Sequence, residues 1–541
     1  MPVFQSMLNT SSETYQQNRT DMLGLVDKMR ELESRAAVAS SRELPRFEKR
    51  AQLLPRERLK RLLDPGAPFI EIGNMGGYLS DIDDPDKTVV GGSQLTGIGI
   101  VSGVRCMVVV NDSGIGAGAL IRPGGEKIVR CQELALANKM PFVQLVESAG
   151  ADMAGYTIEN FVRGGNLFRN LARLSAAGCP VITVLHGAST AGGAYMSGLS
   201  DYVVAVRGRG RAFLAGPPLL KAATGEIATD EELGGAKMHA TTSGLVEYLA
   251  EDDADGIRMA REVVEHLGWN DHALLPQRSK SVLEPKYDPD EIAGLVSLDY
   301  RKPYDVRELI ARLVDGSYMM DFKPRYGVTT VCMHGEIYGQ SCAFIGNNGP
   351  IDNAGATKAA QFIQLNCQSN TPIVYLQNTT GFMVGKEHEA GGMIKHGAKM
   401  IQAVSNASVP QVTLMVGASF GAGNFGMCGV GFDPDLSFAW PNAQIGLMGA
   451  EQAAMTMRIV AERSAERRGK TVDENALKEM EEGLIKHFDY QSNAFYYAGQ
   501  NLSDGMIDPR DTRKVLHGLF DMFRERQHRK MFTNSFGVAR L

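Results

Sequence analysis

Two glycine-rich segments carry the residues with chemistry to offer. Residues 181–195 read VITVLHGASTAGGAY and residues 411–425 read QVTLMVGASFGAGNF. Laid over each other without a gap they keep one offset, since 417 − 187 = 230. Pro180 and Pro410 precede them, Thr183 matches Thr413, Gly187-Ala188-Ser189 matches Gly417-Ala418-Ser419, and Gly193 matches Gly423. Each is a β-branched and aliphatic run that ends in small residues. That pattern predicts a buried strand, a tight glycine turn and a helix N-terminus. The start of a helix presents unpaired N–H groups at the positive end of a dipole. Glycine lets a ligand oxygen approach them. The chemistry is then oxyanion stabilisation by backbone amides, one site in each half of the chain. Gly192 and Gly193 would hold a developing enolate oxygen, and Ala422 and Gly423 a second carbonyl. For either copy alone, close helix packing explains the glycines equally well.

Stepping outward from these turns, the chain alternates short β-rich runs with helical ones. Residues 105–111 and 142–146 read as strands, 126–138 and 161–177 as helices, and 201–206 as a further strand. Residues 216–218 and 222–226 read as loops. Strands alternating with helices argue for parallel β-α units and an α/β class. The second half repeats this order, with strands at 328–334, 340–346 and 373–376 and a helix at 357–367. The strand ending Leu145-Val146-Glu147-Ser148-Ala149-Gly150 matches Leu376-Gln377-Asn378-Thr379-Thr380-Gly381, where 376 − 145 = 231. One residue of drift is what a duplicated domain predicts. Ligands collect beyond the carboxyl ends of parallel strands. Glu147–Gly150 and Thr190–Ala194 therefore face one place in the first half, and Asn378–Gly381 and Phe420–Asn424 face one in the second. The expected organisation is a helical arm at 1–60, a domain at 61–285 and a domain at 286–541. The Pro-rich, aperiodic stretch at 271–304 serves as linker. The charged run at 46–61 reads as a solvated helical face, because acidic residues interleave with the basic ones.

Side-chain catalysts are scarce. There is no HExxH, no Walker A loop and no GxGxxG after a strand. Gly417-Ala418-Ser419-Phe420-Gly421 fits the nucleophile-elbow pattern GxSxG. The first copy has Ala191 where the last glycine would stand, so Ser419 reads as part of the turn. His266 and His272 are six apart, which is not ligand spacing on a helix face, and no metal is expected. His186 lies inside a strand and reads as a packed core histidine. Glu147 would serve as a base or as a structural carboxylate. Its counterpart is Asn378, which cannot be a base.

Composition narrows the class. The 541 residues exceed what one core usually serves, so several domains are expected. A net charge of −6 gives no case for nucleic acid. Seven scattered cysteines without a CxxC pair suit reduced thiols. No run of 18 apolar residues exists, so no membrane span is expected. The N-terminus has no signal-peptide core or transit pattern, which gives a cytoplasmic expectation.

Residues 377–399 (QNTTGFMVGKEHEAGGMIKHGAK), 417–428 (GASFGAGNFGMC) and 440–452 (WPNAQIGLMGAEQ) resemble the carboxyltransferase β subunit of biotin-dependent acyl-CoA carboxylases. So do 216–226 (GPPLLKAATGE) and 504–513 (DGMIDPRDTR). The likeness runs from about residue 20 to the C-terminus and is nearest to the 3-methylcrotonyl-CoA and geranyl-CoA branch. It implies two tandem crotonase-like domains of β-β-α units. It implies that Gly192 and Gly193 hold the thioester enolate, and that Ala422 and Gly423 hold the ureido carbonyl of carboxybiotin. Gly164, Ala149, Gly150, Thr190 and Ala191 would meet the acyl-CoA. Arg122 and Lys127 would meet its phosphates if they are not merely surface charges. Thr380, Gly381, Phe382, Phe420, Gly421 and Asn424 would meet biotin. The biotin would ride on a separate α subunit with biotin carboxylase and carrier domains, since Lys139-Met140, Lys237-Met238 and Lys399-Met400 all lack the leading Met of a biotinylation motif. Coenzyme A would enter as part of the substrate. Family resemblance further implies a β hexamer within an α6β6 holoenzyme. In the implied reaction, a proton leaves the γ carbon of an α,β-unsaturated thioester and the dienolate takes CO₂ released from carboxybiotin.

The sequence departs from the family at three places. Glu147-Ser148-Ala149-Gly150 replaces a common Asp-Ser-Gly-Gly, and the loop at 113–127 differs from the methylcrotonyl pattern. Gly164 stands where methylcrotonyl enzymes resembling this chain carry phenylalanine. Removing that ring would lengthen the acyl pocket and favours geranyl-CoA over 3-methylcrotonyl-CoA. The rival readings are a crotonase-type hydratase, isomerase or decarboxylase, a serine hydrolase on Ser419, and a non-catalytic scaffold.

Overall fold

A computed structural model describes the chain except for residues 81, 153–154, 156, 276–281, 470–472 and 541. Two compact units emerge. One comprises residues 30–277, 499–501 and 521–541; the other comprises 1–29, 278–498 and 502–520. The long helix Glu13–Ser41 contributes to both. The class is α/β, with one eight-stranded mixed sheet in each unit, consistent with tandem crotonase-like domains.

The two sheets match strand for strand. In the first, the antiparallel hairpin Gln94–Val101 and Val104–Asn111 is followed by parallel Phe142–Ser148, Val181–Thr190, Tyr202–Val206 and Tyr248–Ala250. The short strand Arg211–Phe213 pairs with the end of Val181–Thr190. In the second, the hairpin Thr330–Ile337 and Gln340–Asn347 leads to Ile373–Thr379, Gln411–Phe420, Leu436–Ala439 and Gly505–Met506. Gln444–Gly446 there takes the place of Arg211–Phe213. The central strands are buried on both faces, which is why their sequences read as continuous apolar runs and not as alternation.

The duplication reaches further than the glycine turns. Asp64 accepts from the Ser102 and Gly103 amides at the first hairpin turn, and Arg261 pairs with it at 2.8 Å. Asp315 accepts from Tyr338 and Gly339, and Arg513 pairs with it at 2.8 Å. Each arginine also donates to the carbonyl two residues before its aspartate, Leu62 or Leu313. Asp201 and Asp435 each accept the amide that opens the oxyanion strand, Val181 or Gln411.

Four expectations are corrected. The residues read as loops at 216–226 include the helix Pro217–Thr224, because paired prolines suit the first helical turn, where no N–H is needed. The expected linker holds a buried helix, Ile292–Leu295, while its residues 276–281 lie outside the described residues. The charged run at 46–61 is not wholly solvated, since Arg58 is 1% exposed. Lys127, read as a surface charge or phosphate contact, is 2% exposed. No described helix is long and apolar enough to cross a membrane. None of the seven cysteines forms a disulfide.

Candidate active site

The strand Val181–Thr190 ends where Arg211–Phe213 joins it, with Ser189 opposite Ala212 and Thr190 opposite Phe213. The Ala191 amide donates to the Phe213 carbonyl at 3.0 Å. That bond holds Ala191 at φ 55, ψ −121, a conformation L-residues avoid at a cost of about 1–3 kcal/mol. The chain reverses there and the helix Gly192–Gly198 begins. Ala191 and Gly192 are exposed and Gly193 is half-buried. The start of this helix is therefore accessible at the strand end, where its first N–H groups have no intrahelical acceptor.

The neighbouring strand end converges on the same place. Ser148 donates to the Gly118 carbonyl at 2.6 Å and accepts from the Gly150 amide at 3.1 Å. Gly150 has φ 95, and a Cβ there would sit 3.3 Å from the Thr190 carbonyl oxygen. Ala149 beside it is exposed. The wall is the helix Ile158–Ala176, capped by Thr157, whose hydroxyl accepts from Asn160. Its Phe168 ring would lie 3.3 Å from a Cβ on Gly192 and meets Tyr195 edge-on at 6.0 Å. Gly164 lies one turn before Phe168, on the same helix face, and a Cβ there would meet nothing within 4 Å. Phe168 went unnoticed in the sequence; its i+4 spacing from Gly164 is the signal that finds it.

The second turn repeats the first. The strand Gln411–Phe420 is buried throughout, and Gly421 holds φ 56 where Ala191 holds φ 55. The helix Gly421–Gly426 follows. Thr379 plays the part of Ser148, its hydroxyl accepting from the Gly381 amide at 3.2 Å, and the Gly381 carbonyl accepts from Ile351 as Gly150 does from Leu120. Ala422 and Thr380 are exposed, whereas Gly423 is buried with its Cα face against Gly381 and Thr379. The other second-turn candidates divide. Phe420 is 2% exposed and meets Tyr300 edge-on at 5.1 Å. Phe382 packs beneath Gly397 and Gly426. The Asn424 amide donates to the Ser419 hydroxyl at 2.7 Å. The side chains of Phe382, Phe420 and Asn424 thus pack within the turn, while Thr380, Gly381, Gly421 and Ala422 stand at its rim.

The family model described as the carboxyl transferase domain matches residues 47–538. The chain belongs to this family. It is the carboxyltransferase (β) subunit of a biotin-dependent acyl-CoA carboxylase. It is 50% identical to the β subunit of P. aeruginosa geranyl-CoA carboxylase, whose crystal structure superimposes with a TM-score of 0.93 over 100% of both chains. It is 44% identical to a probable biotin-dependent acyl-coenzyme A carboxylase beta2 subunit of Mycobacterium tuberculosis, over 95% of this chain and 96% of that one. It is 40% identical to the mitochondrial methylcrotonoyl-CoA carboxylase beta chain of Arabidopsis thaliana, over 94% of this chain and 87% of that one.

In this carboxyltransferase the ionisable groups nearest the first turn support it from below. Arg58 donates to Glu147 at 2.7 Å and to Asp253 at 3.0 Å, and the His186 ring pairs with Asp253 at 3.0 Å. Gln52 donates to the His186 carbonyl and to Glu147. Burial by itself would raise the Glu147 carboxyl; the charge and hydrogen bond of Arg58, with the Ser113 hydrogen bond and His186, together more than offset it, and the carboxyl stays below its usual range. Burial and the Arg58 charge together lower His186, so it stays neutral. Glu147 is thereby a structural carboxylate and not a free base. A Cβ on Gly187 would strike it, just as one on Gly417 would strike Asn378, whose amide oxygen accepts from Ala418 at 3.2 Å. Carboxylate and amide thus fill the same niche in the two halves. Arg58 and Asp253 escaped sequence reading because nothing local marks a charge that is paired across the fold.

The serine of the GxSxG match is no nucleophile. Ser419 is fully buried, donates to the Gln377 amide oxygen at 2.5 Å and accepts from Asn424, with no histidine among these partners. Ser419→Ala removes one buried hydrogen-bonded hydroxyl. It should lower unfolding free energy by about 1–3 kcal/mol. Acyl-CoA carboxylation should stay within about threefold of wild type, as expected when only second-layer packing is lost. Steady-state assay beside thermal melting checks both, and a dead but well-folded variant would revive the hydrolase reading.

The two expected phosphate contacts are not free cations. The Lys127 ammonium donates to the Gly91 and Gln94 carbonyls at 3.0 and 2.8 Å, and burial pulls it down to about 8. It fastens a turn to the helix Arg122–Ala137. Lys358, 231 residues later, is its repeat partner and equally buried. Arg122 remains at the surface but is held by Glu126 at 3.1 Å, by Ser80 and by Gln500. Among the described residues no group of three or more His, Cys, Asp or Glu is placed to hold a metal.

Proposed function

We propose that this carboxyltransferase moves a carboxyl group from carboxybiotin to the γ carbon of a long, branched α,β-unsaturated acyl-CoA, with geranyl-CoA as the best-fitting substrate. The observation that carries this is the open space at Gly164, one turn from Phe168 on the wall beside Gly192. A side chain absent at that point leaves length for an isoprenoid tail. The similarity to the P. aeruginosa geranyl-CoA carboxylase β subunit points the same way.

In this reading the amides of Gly192 and Gly193 hold the thioester oxygen as negative charge develops on it. Ala149, Gly150, Thr190 and Ala191 shape the backbone around it. The amides of Ala422 and Gly423 receive the ureido oxygen, with Thr380, Gly381 and Gly421 at the rim. The exposed Ala422 at the head of its helix fits a carbonyl acceptor. Biotin supplies the carboxyl group and the nitrogen that takes the substrate proton. The chain's own part is orientation and two sets of preorganised dipoles. Biotin arrives on a separate α subunit, and the β subunits form a hexamer in an α6β6 enzyme; a cytoplasmic location accompanies this reading.

Gly164→Phe tests the substrate. Phenylalanine is the better helix former, so the fold is not at risk. Turnover of geranyl-CoA should fall by about tenfold or more, the scale on which a filled apolar pocket discriminates, while 3-methylcrotonyl-CoA is spared. Equal loss on both esters would reject the pocket-length argument. The 3-methylcrotonyl-CoA reading is the second one, favoured by the 40% identity to the Arabidopsis methylcrotonoyl-CoA chain. A wild-type preference for 3-methylcrotonyl-CoA in the same assay would select it.

A further inference from the structure

The strand Arg211–Phe213 is the brace of the first glycine turn: its last carbonyl receives the Ala191 amide that forces the reversal. Three residues are a short brace, and something must fix their orientation. A single turn of π-helix, His239–Ser243, lies against them. Such turns are rare and often stand at functional sites. His239 opens this one. One ring nitrogen, Nε2, lies 2.7 Å from the Ala212 carbonyl oxygen, and the other, Nδ1, lies 2.6 Å from the Ser243 hydroxyl.

The partners fix the ring. A carbonyl oxygen only accepts, so Nε2 carries the hydrogen and donates to Ala212. In the neutral ring Nδ1 then accepts from the Ser243 hydroxyl. Ala212 stands opposite Ser189 and precedes Phe213, so the ring holds the middle residue of the brace while the next carbonyl holds Ala191. The second half has the brace strand Gln444–Gly446 but a glycine, Gly421, at the strained position, so its turn needs less support.

We propose that His239 is a positioning residue for the first oxyanion turn. It acts through Ala212, Phe213 and Ala191 to keep the Gly192 and Gly193 amides on the thioester oxygen, and it does not itself exchange a proton with substrate. This rests on the assignment of that turn to the thioester under the proposed function, but not on which acyl group is carried.

The test uses the complete α plus β holoenzyme with whichever acyl-CoA ester the wild type turns over. His239→Ala should lower kcat by about tenfold or more, since small misplacements of a preorganised group cost that much, with KM changed by no more than about twofold. His239→Gln, whose amide nitrogen reaches the same carbonyl, should recover kcat to within about threefold of wild type, as one N–H donor replaces another. The proposal is overturned if His239→Ala keeps wild-type kcat, if it raises KM alone, or if His239→Gln is no better than His239→Ala. Should His239→Ala fail to fold, Ser243→Ala takes its place: a kcat loss of a few-fold at unchanged KM supports the role, and wild-type kcat overturns it. Gly193→Pro separates the layers. If it is inactive while His239→Ala is fully active, only the positioning role falls; if Gly193→Pro is itself active, the thioester assignment falls.

Discussion

Gly193→Pro should reduce kcat for acyl-CoA carboxylation by about 10²–10³-fold, equivalent to ~2.7–4 kcal/mol of barrier, because it deletes one preorganised donor from the first turn. The substitution removes the N–H, adds a ring and restricts Gly192 before it. Gly193 sits in the first turn of the helix Gly192–Gly198, where its amide has no intrahelical acceptor and proline is tolerated. The contact to watch is the Ser189 hydroxyl, 3.1 Å from the position of a Cβ. A melting temperature near wild type would show that it is accommodated. The KM for acyl-CoA should move less than kcat, since the thioester oxygen carries full charge only in the transition state. A folded Gly193→Pro holoenzyme with wild-type kcat would remove the first oxyanion site from the mechanism. Proline at Gly423 is the weaker probe, because that glycine is already buried against Gly381 and Thr379.

Arg58→Met should destabilise the unit holding the first sheet by about 3–5 kcal/mol, the usual cost of breaking a buried ion pair from one side. The guanidinium serves two carboxylates, Glu147 and Asp253, each 6% exposed or less. Its loss leaves both without their cation. Chemical denaturation read by far-UV circular dichroism measures the effect, and a change below about 1 kcal/mol would place the network among pairs of no consequence. Acid gives an independent reading. Burial alone would raise the Asp253 carboxyl, but His186, Arg58 and the Leu53 amide together hold it down to about 2 against an ordinary 3.8. Above pH 3.8 both folded and unfolded forms are ionised, and the contribution is fully present. As pH falls from 3.8 towards 2 the unfolded chain takes up the proton first, and the contribution is lost. Asp253→Asn should flatten that part of the acid-stability curve.

How far the sequence reached can be read from particular residues. The two strands and their turns were legible because each is a local pattern: Val181 to Thr190 and Gln411 to Phe420 are apolar runs, and the small residues after them leave a turn few alternatives. The repeat made the pattern twice as informative, since the offset of 230 survived the whole intervening chain. The duplicated Asp64–Arg261 and Asp315–Arg513 clamps follow the same repeat. Their two residues stand about two hundred positions apart, and only pairing in space marks them as a set.

Sequence alone therefore determined the α/β class, the duplication and the positions of both glycine turns, because hydrophobic periodicity and glycine placement are set within a few residues of chain. Only the tertiary structure decided which charges are working parts. Lys127 and Arg58 look like surface cations when read in line, yet one is bonded to backbone carbonyls and the other lies between two carboxylates. Glu147 passes from candidate base to structural anchor once Arg58 is beside it. The hydrogen bond of Asn424 to Ser419 and the packing of Phe382 under Gly397 and Gly426 likewise appear only in the folded chain. A side chain's charge and shape are written in the sequence, but its partner and its access to solvent depend on residues brought near only by folding.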